Sequence, residues 1–480
     1  MANWMNALPG SDLSIGSGVL SLNPLAAPWL AEVSETEIEP LVLASVLLSL
    51  IVVYLAAKLG GEICARINLP AVLGELVGGV IVGVSALHLI VFPEGGAEVQ
   101  SLLMNVVGAT SGQSAEGLLR VFQGESEVIS VLAELGVIIL LFEIGLESDL
   151  KELIRVGPQA AVVAVIGVVV PFAAGTAGLI ALFGIDTIPA VFAGAALTAT
   201  SIGITAKVLA EMQQLSSKEG QIIIGAAVLD DVLGIIVLAV VASLAKTGEI
   251  EILNVVYLVA GAATFLVGSI LIGRLLSPFF VAVVNQMRTR GQVLISSLIF
   301  AFVLAYIAAA IQLEAILGAF AAGLILAETS KHKELEAQIS PIADMLVPIF
   351  FITVGARTDI SVLNPLNPEN RAGLVIASFL VVVAIIGKVI TGFAIFGQPG
   401  INRLAVGVGM IPRGEVGLVF AGVGAASGVL TESLDAAIIV MVIVTTFVAP
   451  PLLRIVFKED DSELTPALET PAAEEVESSR

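Results

Sequence analysis

The sequence predicts an all-α polytopic membrane protein of about thirteen transmembrane helices, and three observations carry that prediction. Of its 480 residues 57% are hydrophobic and only 13% charged, where a soluble domain carries about 25% charge; mean hydropathy is +1.04. The apolar residues are gathered into long runs separated by short polar stretches, several of them long enough to cross a hydrocarbon core of ~30 Å as a helix. The basic residues then fall unevenly on the two sides that these runs define.

In chain order the runs are 41–59, 69–92, 128–146, 160–183, 189–209, 222–244, 255–276, 293–311, 315–327, 342–355, 372–396, 404–428 and 436–457. With the N-terminus outside, the inward loops and tail hold fifteen Lys and Arg and the outward loops hold Arg120, Lys246, Arg357 and Arg371, while Lys388 and Arg413 lie inside spans. That bias follows the positive-inside rule, and one missed or invented span would scramble it. The expected topology is thirteen spans, N-out and C-in. Residues 1–40 hold Pro24 and Pro28 but, as far as Glu39, no Lys or Arg. They lack the basic start of a signal peptide and are expected to form an extracytoplasmic arm. The tail 458–480 carries eight acids after Lys458, with Pro, Ala, Ser and Thr between them, a composition that stays solvated and disordered. It supplies much of the net charge of −21, so that charge implies no nucleic-acid partner.

Other classes are excluded by what the chain holds. A single cysteine, Cys64, rules out a disulfide framework, and two histidines make a histidine-rich metal site implausible. Gly387-Lys388 does not open a phosphate loop: Val382 stands where the first glycine belongs and Val389 where Ser or Thr belongs. No nucleotide and no cofactor is expected.

Two spans are interrupted. The fifth contains Thr198-Ala199-Thr200-Ser201 followed by Gly203, and the twelfth contains Gly407-Val408-Gly409-Met410-Ile411-Pro412-Arg413-Gly414. Irregular backbone at membrane depth is tolerated only where it lines a cavity or is buried in protein. Paired interrupted helices in two halves point to the inverted repeats of secondary transporters. Here five spans, the second to the sixth, would repeat inverted as the ninth to the thirteenth, with no identity between them evident on inspection.

The ionisable residues inside spans carry the chemistry. Asp230 and Asp231 sit in the middle of the sixth span, where an uncompensated charge costs at least ~2.5–3.5 kcal/mol. Adjacent residues point about 100° apart on a helix, so one can meet a cation while the other faces a water-filled cavity. Lys388 in the eleventh span has no carboxylate within one helical turn and is the candidate partner. Arg413 and Glu415 flank the break in the twelfth span at a spacing that does not pair on a regular helix; they either clamp the break or act on the ion directly. Glu75, Glu134, Glu143, Glu314 and Asp344 lie in or beside spans with no constellation around them. The same acids and breaks also suit a cation channel without proton coupling.

The stretches LTATSIGITAKVL, GAAVLDDVLGIIVL, GKVITG and PRGEVGLVFAGVG resemble the sodium/proton antiporters of the second cation/proton antiporter superfamily, NapA-like proteins among them, as do LGVIILLFEIGLE, LGAFAAGLILAE and PIFFITVGA. The resemblance runs from about residue 41 to 457. It implies a homodimer embedded in lipid, a dimer domain (about 41–146 and 293–355) and a mobile core (about 160–244 and 372–457), within the transporter domain 41–457. The two unwound helices would cross in that core. It further implies that Asp231 binds the transported Na+ (or Li+) and the proton, with Thr198, Thr200 and Ser201 near it. Asp230 would pair with Lys388, which would carry a second proton and make exchange electrogenic. K+ in place of Na+ remains open. The chain would be a secondary transporter rather than an enzyme, in a bacterial-type cell membrane or an internal energy-coupling membrane.

Overall fold

The computed structural model describes residues 35–92, 101–247, 252–366, 370–397, 399–414, 417, 420, 423–424 and 428–464. Its helices in order are α1 (Glu35–Arg66), α2 (Ala71–Val82), α3 (Leu102–Ser111), α4 (Ala115–Glu147), α5 (Leu150–Phe183), α6 (Thr187–Ala196), α7 (Ile202–Glu211), α8 (Lys218–Thr247), α9 (Ile252–Gln286), α10 (Gln292–Ala310), α11 (Ala315–Ala327), α12 (His332–Ala356), a 3₁₀ turn (Ile360–Leu363), α13 (Asn370–Phe393), α14 (Arg403–Gly409) and α15 (Glu432–Leu464). Among the described residues nine helices are long and apolar enough to cross a membrane: α1, α4, α5, α8, α9, α10, α12, α13 and α15. The other four apolar runs are carried by α2, by α6 with α7, by α11 and by α14. The chain is an integral multi-pass membrane protein.

Several boundaries differ from the sequence expectation, each for a local reason. The arm ends earlier, because α1 already begins at Glu35 and includes Pro40. The expected outward loop 93–127 contains helix: Ser101 caps α3 by accepting from Met104 N, and Leu103, Met104 and Val107 are buried against Ile38, Val121 and Phe122. A hydropathy window misses this amphipathic piece and the first turns of α4, which carry Glu116 and Arg120. At the other end α15 continues to Leu464, beyond the expected start of the tail; residues 465–480 lie outside the described residues. The break in the twelfth span begins at Met410, since Gly407–Gly409 still close α14.

The inverted repeat is visible in sequence once the structure supplies the register. Leu69, Ala71, Leu73, Gly74, Gly79 and Ile81 correspond to Leu313, Ala315, Leu317, Gly318, Gly323 and Ile325, identical residue for residue. Asn68 and Gln312, just before these stretches, share the left-handed conformation (φ 58° and 66°). The contacts repeat too. A Cβ on Gly79 would lie 2.4 Å from Ile352 O and one on Gly355 2.2 Å from Leu76 O. Its counterpart has Gly323 at 2.3 Å from Phe142 O and Gly145 at 2.4 Å from Phe320 O. These glycines let backbones touch where lipid offers no hydrophobic drive for helix association. Asp149 after α4 and Asp359 after α12 also match, each accepting from the N–H two residues on at 2.8 Å. Since α1 packs on α2 as α10 packs on α11, the repeat takes in α1 and α10 as well, with α9 as the connector. The five-span repeat expected from sequence is thus extended by one helix on each side.

This symmetry positions the site. α5 packs on both α8 and α13, and α13 packs on α15. At the α5–α13 crossing a Cβ on Gly387 would stand 2.9 Å from Pro171 Cγ, and one on Gly167 3.2 Å from Lys388 Nζ. The absence of side chains there lets the lysine lie between the helices.

Candidate ion site

The site begins with two helices that fail to continue. α6 stops at Ala196, and α7 starts at Ile202. Hydroxyl side chains compete with the helix for its own backbone, and Thr198 Oγ1 does so, donating to Ala195 O at 2.7 Å. In the second break Pro412 has no N–H to give, and the chain leaves the helix at Met410.

The carbonyls released by one break are satisfied largely by the other. Ser201 N donates to Pro412 O at 2.8 Å, Thr200 Oγ1 to Met410 O at 3.3 Å, and Thr205 Oγ1 to Gly409 O at 2.9 Å. Arg413, fully buried, turns its guanidinium back onto Ile411 O at 2.9 Å and across onto Leu197 O. Its own carbonyl accepts from Thr446 Oγ1 of α15. The breaks therefore meet and cross. Of the two roles open to Arg413 on sequence grounds, clamping the break is the one its hydrogen bonds describe. Glu415 lies outside the described residues.

α8 runs past the crossing, packed against α6, α7 and α14, with Ile223 filling the space over Gly409. Its Asp230 receives Lys388 Nζ at 3.2 Å and 3.1 Å on its two oxygens, and both side chains are 0% exposed. A pair this deep stands only with close geometry, since the desolvation of each ion runs to several kcal/mol. Asp231 is also buried, at 4% exposed. Ser201 Oγ, in a residue 2% exposed, has no hydrogen-bond partner among the described residues.

The residues singled out from sequence are thus found in two groups. Asp230 and Lys388 join α8 to α13; Thr198, Thr200, Ser201 and Arg413 lie at the crossing, Thr198 bonded, among the described residues, within its own helix end. Sequence reasoning missed Thr205, Thr446 and Gly167. Thr205 sits one turn beyond Ser201, and its spacing from the break was a usable signal. Thr446 and Gly167 gave none, because their partners come from distant helices.

A bundle of apolar helices in inverted halves, with a buried acid–lysine pair beside crossed unwound segments, defines a secondary transporter of ions. A family model described as the transmembrane sodium/hydrogen exchanger matches residues 47–459, and the chain belongs to that family. It is 68% identical over 456 residues to the high-affinity Na+/H+ antiporter NhaS3 of Synechocystis, covering 94% of this chain and 99% of that protein. To the Na+/H+-K+ antiporter GerN of Bacillus cereus it is 30% identical, covering 86% and 96% of the two chains. The solved structure of the sodium proton antiporter MjNhaP1 from Methanocaldococcus jannaschii shares the fold, with a TM-score of 0.61 at 14% identity over 88% of this chain and 98% of that one.

Proposed function

We propose that this chain exchanges Na+ for H+ across its membrane, with Asp231 as the group that takes either ion. The observation that carries the reading is the fully buried Lys388–Asp230 pair, held next to Asp231 on a helix that packs on the helices flanking both breaks. A carboxylate at that depth binds a proton or a cation but not both, and this competition couples the two fluxes. Oxygen ligands suit a small hard cation. The Ser201 hydroxyl is buried with no partner among the described residues, and the Thr198 and Thr200 hydroxyls, which donate to carbonyls, keep lone pairs free.

Lys388 is the second proton carrier in this reading: cation entry loosens its hold on Asp230 and releases its proton. Two protons then move for each Na+, and the cycle carries net charge. The core, about 160–244 and 372–457, moves against a dimer domain, about 41–146 and 293–355, so that the site faces each side in turn. The protein works as a homodimer with thirteen spans, N-out and C-in. K+ is the second reading for the cargo, favoured by the relative named for K+ as well as Na+.

The test uses purified protein in vesicles with a pH-sensitive dye. Addition of Na+ dissipates the pH gradient with the parent protein, and Asp231→Asn abolishes this while leaving expression and unfolding temperature near those of the parent. Exchange by Asp231→Asn at the parent's apparent affinity would move the site elsewhere. A cation leak without proton movement would make the protein a channel. Comparing Na+, Li+ and K+ in the same vesicles decides the cargo.

A further inference from the structure

We propose that Glu211, at the end of α7, is a latch between the moving core and the scaffold, and that its release is a step in every transport cycle. The inference rests on the reading of a mobile core given above. Glu211 leaves the core and crosses to the start of α2, where its carboxylate accepts from Ala71 N at 2.8 Å and from Val72 N at 3.2 Å. These are donors that a helix start cannot satisfy internally. Pro70, which precedes them, supplies no side-chain cap. A carboxylate there also meets the positive end of the helix dipole.

A second residue of α7 reinforces the contact. Lys207, one turn earlier, lies within electrostatic reach of Glu75 of α2 and Glu143 of α4. α7 thus presents an acid to a helix start and a base to scaffold acids at the same end of the bundle. Farther along the same interface the surface is apolar: a Cβ placed on Gly203 would lie 3.5–3.8 Å from the side chains of Val137, Phe350 and Leu140, an ordinary van der Waals fit. Apolar faces slide over one another with little directional preference, whereas charge-assisted hydrogen bonds hold one register. Glu211 is exposed, so water can replace its partners when the core moves. That makes the contact reversible rather than permanent.

The latch therefore stabilises the arrangement seen here over the alternative, and its strength sets how often the core leaves it. The experiment places spin labels at Arg66→Cys, on the scaffold, and Ser216→Cys, on the core, in a Cys64→Ser background. Distances are measured in lipid nanodiscs with and without Na+, alongside exchange in vesicles. The parent is expected to show two distances, one of them that of the present structure. Glu211→Ala is expected to lower the population of that distance at least threefold and to change the turnover rate. Glu211→Gln, which keeps an acceptor but no charge, should fall between. If the parent shows two distances and neither variant changes their ratio, the latch is overturned while the moving core stands. A single unchanging distance in the parent under all conditions would overturn the moving core, and the latch with it.

Discussion

Replacing Lys388 by Gln is the sharpest perturbation of this structure. Its ammonium lies 3.1–3.2 Å from both oxygens of Asp230, and neither side chain is exposed. Breaking one partner of such a buried pair costs ~3–5 kcal/mol, because the remaining charge is left in low dielectric. For domains of 150–250 residues ~1 kcal/mol moves the midpoint by ~2–4 °C, and by less in a larger chain, so a fall of several degrees in unfolding temperature is expected. Asp230→Asn combined with Lys388→Gln removes both charges and should recover most of that fall. The gap between the double change and the sum of the single ones measures the pairing. Transport separates structure from mechanism. If the lysine carries a proton, Lys388→Gln stops Na+-driven proton movement even in protein that remains folded. If it only neutralises Asp230, exchange survives in the folded protein with the parent's voltage response. If the parent moves one net charge per cycle, 100 mV shifts the balance by ~2.3 kcal/mol, about fiftyfold in the gradients. Lys388→Gln protein that still exchanges Na+ for H+ with the parent's voltage response would refute the proton-carrying role. A double variant no more stable than Lys388→Gln would refute the energetic argument itself.

Three further outcomes test other parts of the structure. Arg413→Leu removes the donors to Leu197 O and Ile411 O, leaving buried carbonyls unsatisfied at ~1–3 kcal/mol each. Unfolding temperature and exchange should both fall, with Arg413→Lys intermediate because a lysine cannot reproduce the fork; an Arg413→Leu protein of parental stability would deny the clamp. Gly145→Ala and Gly355→Ala each place a Cβ 2.2–2.4 Å from a carbonyl oxygen of the facing helix and should destabilise by similar amounts, at least the ~1–3 kcal/mol of ordinary overpacking. Clearly unequal thermal shifts would break the proposed symmetry of the halves. For topology, Ser479→Cys in a Cys64→Ser background should react with an impermeant thiol reagent only after the cytoplasmic side is opened, and labelling from outside would remove the thirteen-span count.

The sequence by itself determined the class of the protein, because a membrane imposes its constraint locally: each span must be apolar along its length, and every charge inside one stands out. That is why Asp230, Asp231, Lys388 and Arg413 could be read directly, and why Thr198–Ser201 and Gly407–Gly414 announced themselves as breaks. That one of the two aspartates pairs with Lys388 also followed from sequence, since a buried charge demands an opposite one and few were available; the choice of Asp230 came from the family resemblance. What only the tertiary structure decided is how distant helices meet. Arg413 bonded to Leu197 O, Thr205 to Gly409 O, Thr446 to Arg413 O and Glu211 to the start of α2 are contacts between segments far apart in the chain. Nothing in the local pattern of a threonine or a glutamate states which carbonyl or N–H it will reach. The repeat shows the same division. Leu69–Ile81 and Leu313–Ile325 share residues at matching positions, but small apolar residues recur throughout any membrane helix. Their correspondence became evidence only when the glycines at equivalent positions were found touching equivalent backbone atoms, because close packing, and not composition, distinguishes one apolar helix from another.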